Sequence, residues 1–95
     1  MNEQRLEKWQ LVHIKKAFQS FIAGRPTEDE QICVSVIKCC TASERVFVRN
    51  VYLPNKMAME EWIKKCAEEA GFSSSYGWLL LRITEARFAR EKGWM

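Results

Sequence analysis

Along the first two dozen residues, apolar side chains recur at Leu6, Leu11, Ile14, Ala17, Phe18, Phe21 and Ile22, the three-and-four spacing of an amphipathic helix. Arg5, Lys8, Lys15, Lys16 and Gln19 fill the opposite side, so residues 2–23 are predicted as one helix. Gly24 followed by Arg25 and Pro26 ends it, because glycine accepts a left-handed cap and proline disfavours helix at the residue before it. Trp9 and Val12 fall off the apolar stripe and are candidates for a role beyond the core.

The pattern then changes. QICVSVIKCC and RVFVRNVYL are rich in β-branched and aromatic residues, and TASE between them suits a hairpin loop, which predicts two antiparallel strands. Ile32, Val34 and Val36 would share one face of the first strand, with Cys33, Ser35, Ile37 and Cys39 on the other. Both faces are partly apolar, so the ribbon needs cover from helices or from a second chain.

Pro54 and Asn55 break the second strand and open a further helix, in which Met59, Trp62, Ile63, Cys66, Ala67 and Ala70 fall on one face. Glu60 to Lys64 and Glu61 to Lys65 repeat the favourable spacing of four on the opposite, solvated face. Gly71 is placed to cap its end, and Ser73 to Ser75 offer caps for the next element. The final segment reads as a helix over residues 75–92, apolar almost all round in its first half, with Leu79, Leu80, Ile83 and Ala86 on one side and Trp78, Leu81 and Phe88 on the other. A third strand over residues 76–83, followed by a short helix, is the alternative. The expected fold is therefore α+β: helix, antiparallel β-hairpin, then two helices packed on the sheet, in a single domain over residues 1–95.

Composition narrows the class. A chain of 95 residues, 47% hydrophobic and 28% charged, has apolar surface enough for one core and for no second one. Its charged start and the interruptions at Lys15, Lys16 and Gln19 predict neither a signal peptide nor a membrane span, and a cytoplasmic setting is expected. The net charge of +3 is too small to argue for nucleic acid, although the basic residues gather toward the two ends of the chain.

Candidate chemistry is sparse. Cys33, Cys39, Cys40 and Cys66 contain no C-x-x-C pair, and the only histidine, His13, is distant in sequence. They read as small hydrophobes in a reducing compartment, with one of the adjacent Cys39 and Cys40 facing solvent and open to oxidation; no metal and no cofactor are expected. His13 lies at the edge of the first helix's stripe, with no orienting partner visible in sequence, and reads as a packed or surface side chain. Without a nucleophile motif, a phosphate-cradling glycine loop or paired acids, the chain is expected not to be an enzyme.

Two binding readings remain. Trp9, Trp62, Trp78 and Trp94 are many tryptophans for this length, and tryptophan and arginine are enriched at binding hot spots. Trp9, Trp78, Arg87, Arg90 and Trp94 are accordingly the candidate surface of a small regulatory or inhibitor-type protein-interaction module, and the free hairpin edges suggest a homodimer. The other reading starts from CAEEAGFSSSYGWLLLR, in which Ala67, Gly71, Ser73, Leu80 and Leu81 stand where helix, turn and returning helix would need them. This stretch resembles a helix-turn-helix unit, over residues 58–91. The resemblance implies a dimeric regulator binding duplex DNA, with Ser74, Tyr76, Arg82 and Arg87 near phosphates or base edges. It departs from the motif at Gly77, where a branched hydrophobe is usual, and at Trp78 and Leu79, where polar residues are usual.

Overall fold

The two segments expected to pair as strands are helices. The structure of the protein is a computed structural model that describes residues 5–95. It contains α1 (Lys8–Ile22), α2 (Glu30–Lys38), α3 (Ala42–Val51), α4 (Met59–Ala70) and α5 (Ser74–Lys92), with no strand among the described residues. The fold is all-helical rather than α+β. The hairpin, the alternative strand over 76–83 and a dimer built by joining hairpin edges all fall with that finding. The expected start of the first helix near residue 2 lies outside the described residues, and residues 5–7 precede α1.

Burial explains why helix wins over strand. In α2 the buried side chains are Cys33 and Val36, with Cys40 buried just beyond the helix; in α3 they are Phe47, Val48 and Val51, followed by Tyr52. Those intervals of three and four place one stripe against the core, whereas alternation would have split each set between two faces. Valine and isoleucine lose a few tenths of a kcal/mol each in a helix, roughly, and tertiary packing outweighs so small a preference. TASE is not a loop. Thr41 Oγ1 accepts a hydrogen bond from the Glu44 N–H at 3.2 Å, and Glu44 Oε1 accepts one from the Thr41 N–H at 2.8 Å, a reciprocal cap that starts α3.

Helix α5 is the axis of the molecule, in contact with each of the other four helices. This accounts for its apolar sequence on more than one side: Gly77, Leu80, Leu81, Thr84, Phe88 and Ala89 are all buried. The Thr84 hydroxyl, buried with them, donates to the Leu80 carbonyl one turn back at 2.8 Å. Ser73 caps the start of α5, its hydroxyl accepting from the Tyr76 N–H. Gly71, at φ +85°, makes the turn from α4 in the left-handed region open to glycine.

Three of the four cysteines behave as small core residues, on helices rather than in a strand. Cys33, Cys40 and Cys66 are buried, whereas Cys39 is exposed at the end of α2. Burial pushes the Cys33 thiol up to about 12 and that of Cys66 up to about 11, so neither supplies thiolate near neutral pH.

Candidate functional site

Four exposed hydrophobic side chains, Leu11, Val12, Leu53 and Met59, surround one cleft. Its first wall is α1: Ile14, Ala17 and Phe18 of the stripe are buried, while Leu11 of the stripe and Val12 beside it remain at the surface. The facing wall comes from the connector after α3 and the start of α4, where Leu53 is 40% exposed and Met59 54%. Between the walls is a cleft of about 400 Å³, within the range of known ligand sites. The indole N–H of Trp62, which lines it, donates to the Val51 carbonyl at 3.0 Å and so fixes its ring against the end of α3. The Lys65 ammonium lies 5.9 Å from the centre of the same ring.

Beside the polar Lys8, Lys15, Gln19 and Asn55, the lining includes Tyr52, which is buried, and Glu85, which is half-buried. Tyr52 stacks on Phe18, with ring centres 4.7 Å apart and planes 5° from parallel, and its buried hydroxyl has no hydrogen-bond partner among the described residues. Glu85 comes from α5. Burial pushes its carboxyl up to about 7 against the opposing pull of Arg82, and the ion pairs of the described residues involve only His13, Glu28, Asp29 and Lys92. Nothing in the sequence pattern marked Glu85, because its burial arises from α1 and the α3 to α4 connector folding around α5.

The tryptophans proposed as a docking surface are only partly brought together. Trp9 and Trp94 meet edge to face with ring centres 5.3 Å apart, and Trp94 also packs on His13 and Phe88. Trp94 is thereby half-buried, while Trp9 stays 56% exposed. Trp78 lies about 20 Å back along α5 at 1.5 Å per residue and packs against the core. Arg87 is half-buried, where its charge favours the Glu44 carboxylate, and Arg90 is exposed.

His13 has the partner that the sequence did not reveal. Its Nε2 lies 2.6 Å from Asp29 Oδ2, and Lys92 Nζ donates to Asp29 Oδ1 at 2.6 Å. Asp29 is buried, and burial opposes its ionisation, yet the hydrogen bonds from Lys92 and His13 outweigh that cost and hold the carboxyl below its ordinary value. The cluster ties α1, the start of α2 and the end of α5 together.

The residues of the DNA reading are spread around α5. Ser74 is exposed in the first turn and Arg82 is exposed further along. Tyr76 turns to α3, its hydroxyl donating to Glu44 Oε2 at 2.6 Å, and this hydrogen bond raises the tyrosine's pKa. Gly77, the departure from the motif, is the point of closest approach: a Cβ there would lie 3.0 Å from Ala67 Cβ and 3.1 Å from Phe47 Cε1. Phe47 and Ala67 therefore fill the space that a branched residue on α5 would take.

Among the described residues, no group of three or more His, Cys, Asp or Glu side chains could hold a metal ion, and no helix is long and apolar enough to cross a membrane. No protein-family model matches the chain, and neither a curated protein nor a solved structure matches it.

Proposed function

We propose that the chain is a non-catalytic protein-interaction module, and that its docking face is the cleft between α1 and α4, which receives an apolar segment of a partner protein. The observation that carries this reading is the convergence of Leu11, Val12, Leu53 and Met59, all exposed, on one cleft of about 400 Å³. Exposed hydrophobes scattered singly mean little, whereas a set gathered on a concave surface is what an apolar helix or strand docks into. Met57, also exposed, and Met59 add adaptable side chains suited to accommodating a partner. A reducing, cytoplasmic setting fits four unpaired cysteines.

A second reading keeps the duplex-DNA role of α4 and α5. It is favoured by the left-handed Gly71 turn, the Ser73 cap and the exposure of Ser74 and Arg82. Glu68 and Glu69, exposed at the end of α4, and the engagement of Tyr76 by Glu44 weigh against it.

The test is affinity capture from native cells, followed by titration of the purified partner against the wild-type chain and the surface variants Val12→Asp and Met59→Asp. Loss of at least tenfold in affinity, with an unchanged melting temperature, is expected. Equal binding by both variants sinks the cleft reading, and tight, salt-sensitive binding of duplex DNA puts the second reading in its place.

A further inference from the structure

Resting on the reading of the cleft as a docking face, we propose that the partner segment anchors itself by a basic side chain, a lysine whose alkyl stem lies in the apolar cleft and whose ammonium pairs with Glu85. A leucine or methionine at position 85 would extend the apolar part of the lining at no electrostatic cost. A carboxyl there is expensive to ionise until a cation reaches it.

The cations already present do not fill that role. Lys8 and Lys15, which line the cleft from α1, are exposed and form no ion pair with Glu85 among the described residues. Arg82 on α5 acts on Glu85 without closing an ion pair, and Lys65 of α4 stands over Trp62. From the end of α3 comes Tyr52, whose buried hydroxyl is unpartnered, and α2 contributes Cys33 beyond it, a thiol held neutral. No neighbour thus neutralises the carboxylate. A negatively charged or purely apolar anchor would leave Glu85 protonated or buried without a counter-ion, whereas a lysine side chain supplies both the stem that the walls accept and the charge that the carboxyl lacks.

Probes that mimic the anchor separate this proposal from the reading beneath it. The ¹⁵N-labelled full chain is titrated with n-pentylamine, n-pentanol and pentanoate at pH 8, with the Trp62 indole N–H as the local NMR reporter. The expected result is that pentylamine binds at least fivefold tighter than pentanol, that Glu85→Gln abolishes the difference, and that the difference shrinks below pH 6. Equal binding of pentylamine and pentanol at Trp62, or an amine preference that survives Glu85→Gln, overturns the basic anchor and leaves the apolar docking face standing. If no probe shifts Trp62, the cleft itself is not a binding site and both readings fall.

Discussion

Gly77 of α5 and Ala67 of α4 are in direct contact, close enough that a methyl group added at Gly77 would lie 3.0 Å from the Ala67 methyl and 3.1 Å from the Phe47 ring. Ala67 and Phe47 are both fully buried, so neither can move aside without disturbing the core. Alanine gains about 1 kcal/mol over glycine from helix propensity alone, but overpacking a filled core costs about 1–3 kcal/mol. Gly77→Ala is therefore expected to destabilise by about 1 kcal/mol and Gly77→Val by more, measured as urea midpoints at constant slope. A stabilised Gly77→Ala would show that α4 and α5 separate easily.

The same contact shows what the sequence could and could not disclose. Helices α1, α4 and α5 were legible because their stripes and caps agreed: Gly71 and Ser73 take up the expected cap positions. Helices α2 and α3 were misread because Cys33, Val34, Ser35, Val36 and Ile37 satisfy both a two-residue and a three-to-four-residue period over so short a run. Thr41 and Glu44 carried the deciding signal, a threonine followed three residues later by glutamate, ahead of the apolar run of α3. The cleft was legible only in Val12, a residue left off the stripe of α1; its Glu85 and Tyr52 depend on how distant helices meet.

That cap gives the second prediction. Thr41→Ala removes the acceptor for the Glu44 N–H and should cost about 1 kcal/mol. Glu44→Ala should cost more than Thr41→Ala, since Glu44 also accepts from Tyr76, and the bond from Tyr76 is the largest cause of its lowered pKa. Thermal melts of the two single variants and of Tyr76→Phe separate the contributions, and a Glu44 variant no worse than Thr41→Ala would show that the tyrosine contact adds nothing.

Asp29 sets the acid limit. Its carboxyl is held below the ordinary value of 3.8, so the stability it contributes is present above that value and is lost as pH falls through the lower folded one. Asp29→Asn should cost about 2 kcal/mol at neutral pH, because it removes the charge from two short hydrogen bonds, and should make little difference once the wild-type carboxyl is protonated. Unfolding curves between pH 2 and pH 7 should converge for the two proteins at the acid end. Curves that remain parallel would mean that Asp29 acts by shape rather than by charge.

Glu85 has the opposite sign. Burial raises its carboxyl from 4.5 to about 7, so across that interval the folded chain binds more protons than the unfolded one and stability declines as pH rises. Below 4.5 the carboxyl is protonated in both states and imposes no penalty; above 7 the penalty is complete. Water reaches this half-buried group, which limits the loss to about 1–2 kcal/mol. Glu85→Gln should therefore melt higher than wild type at pH 8 and close to it at pH 4.5. A companion variant, Tyr52→Phe, removes a buried hydroxyl without a partner and should be neutral to stabilising at both pH values, since the aromatic stack on Phe18 is retained. If Glu85→Gln gave no gain at pH 8, the carboxyl would have to be solvated or paired already. The cleft would then present to a partner only its apolar walls, with no carboxylate waiting for a cation.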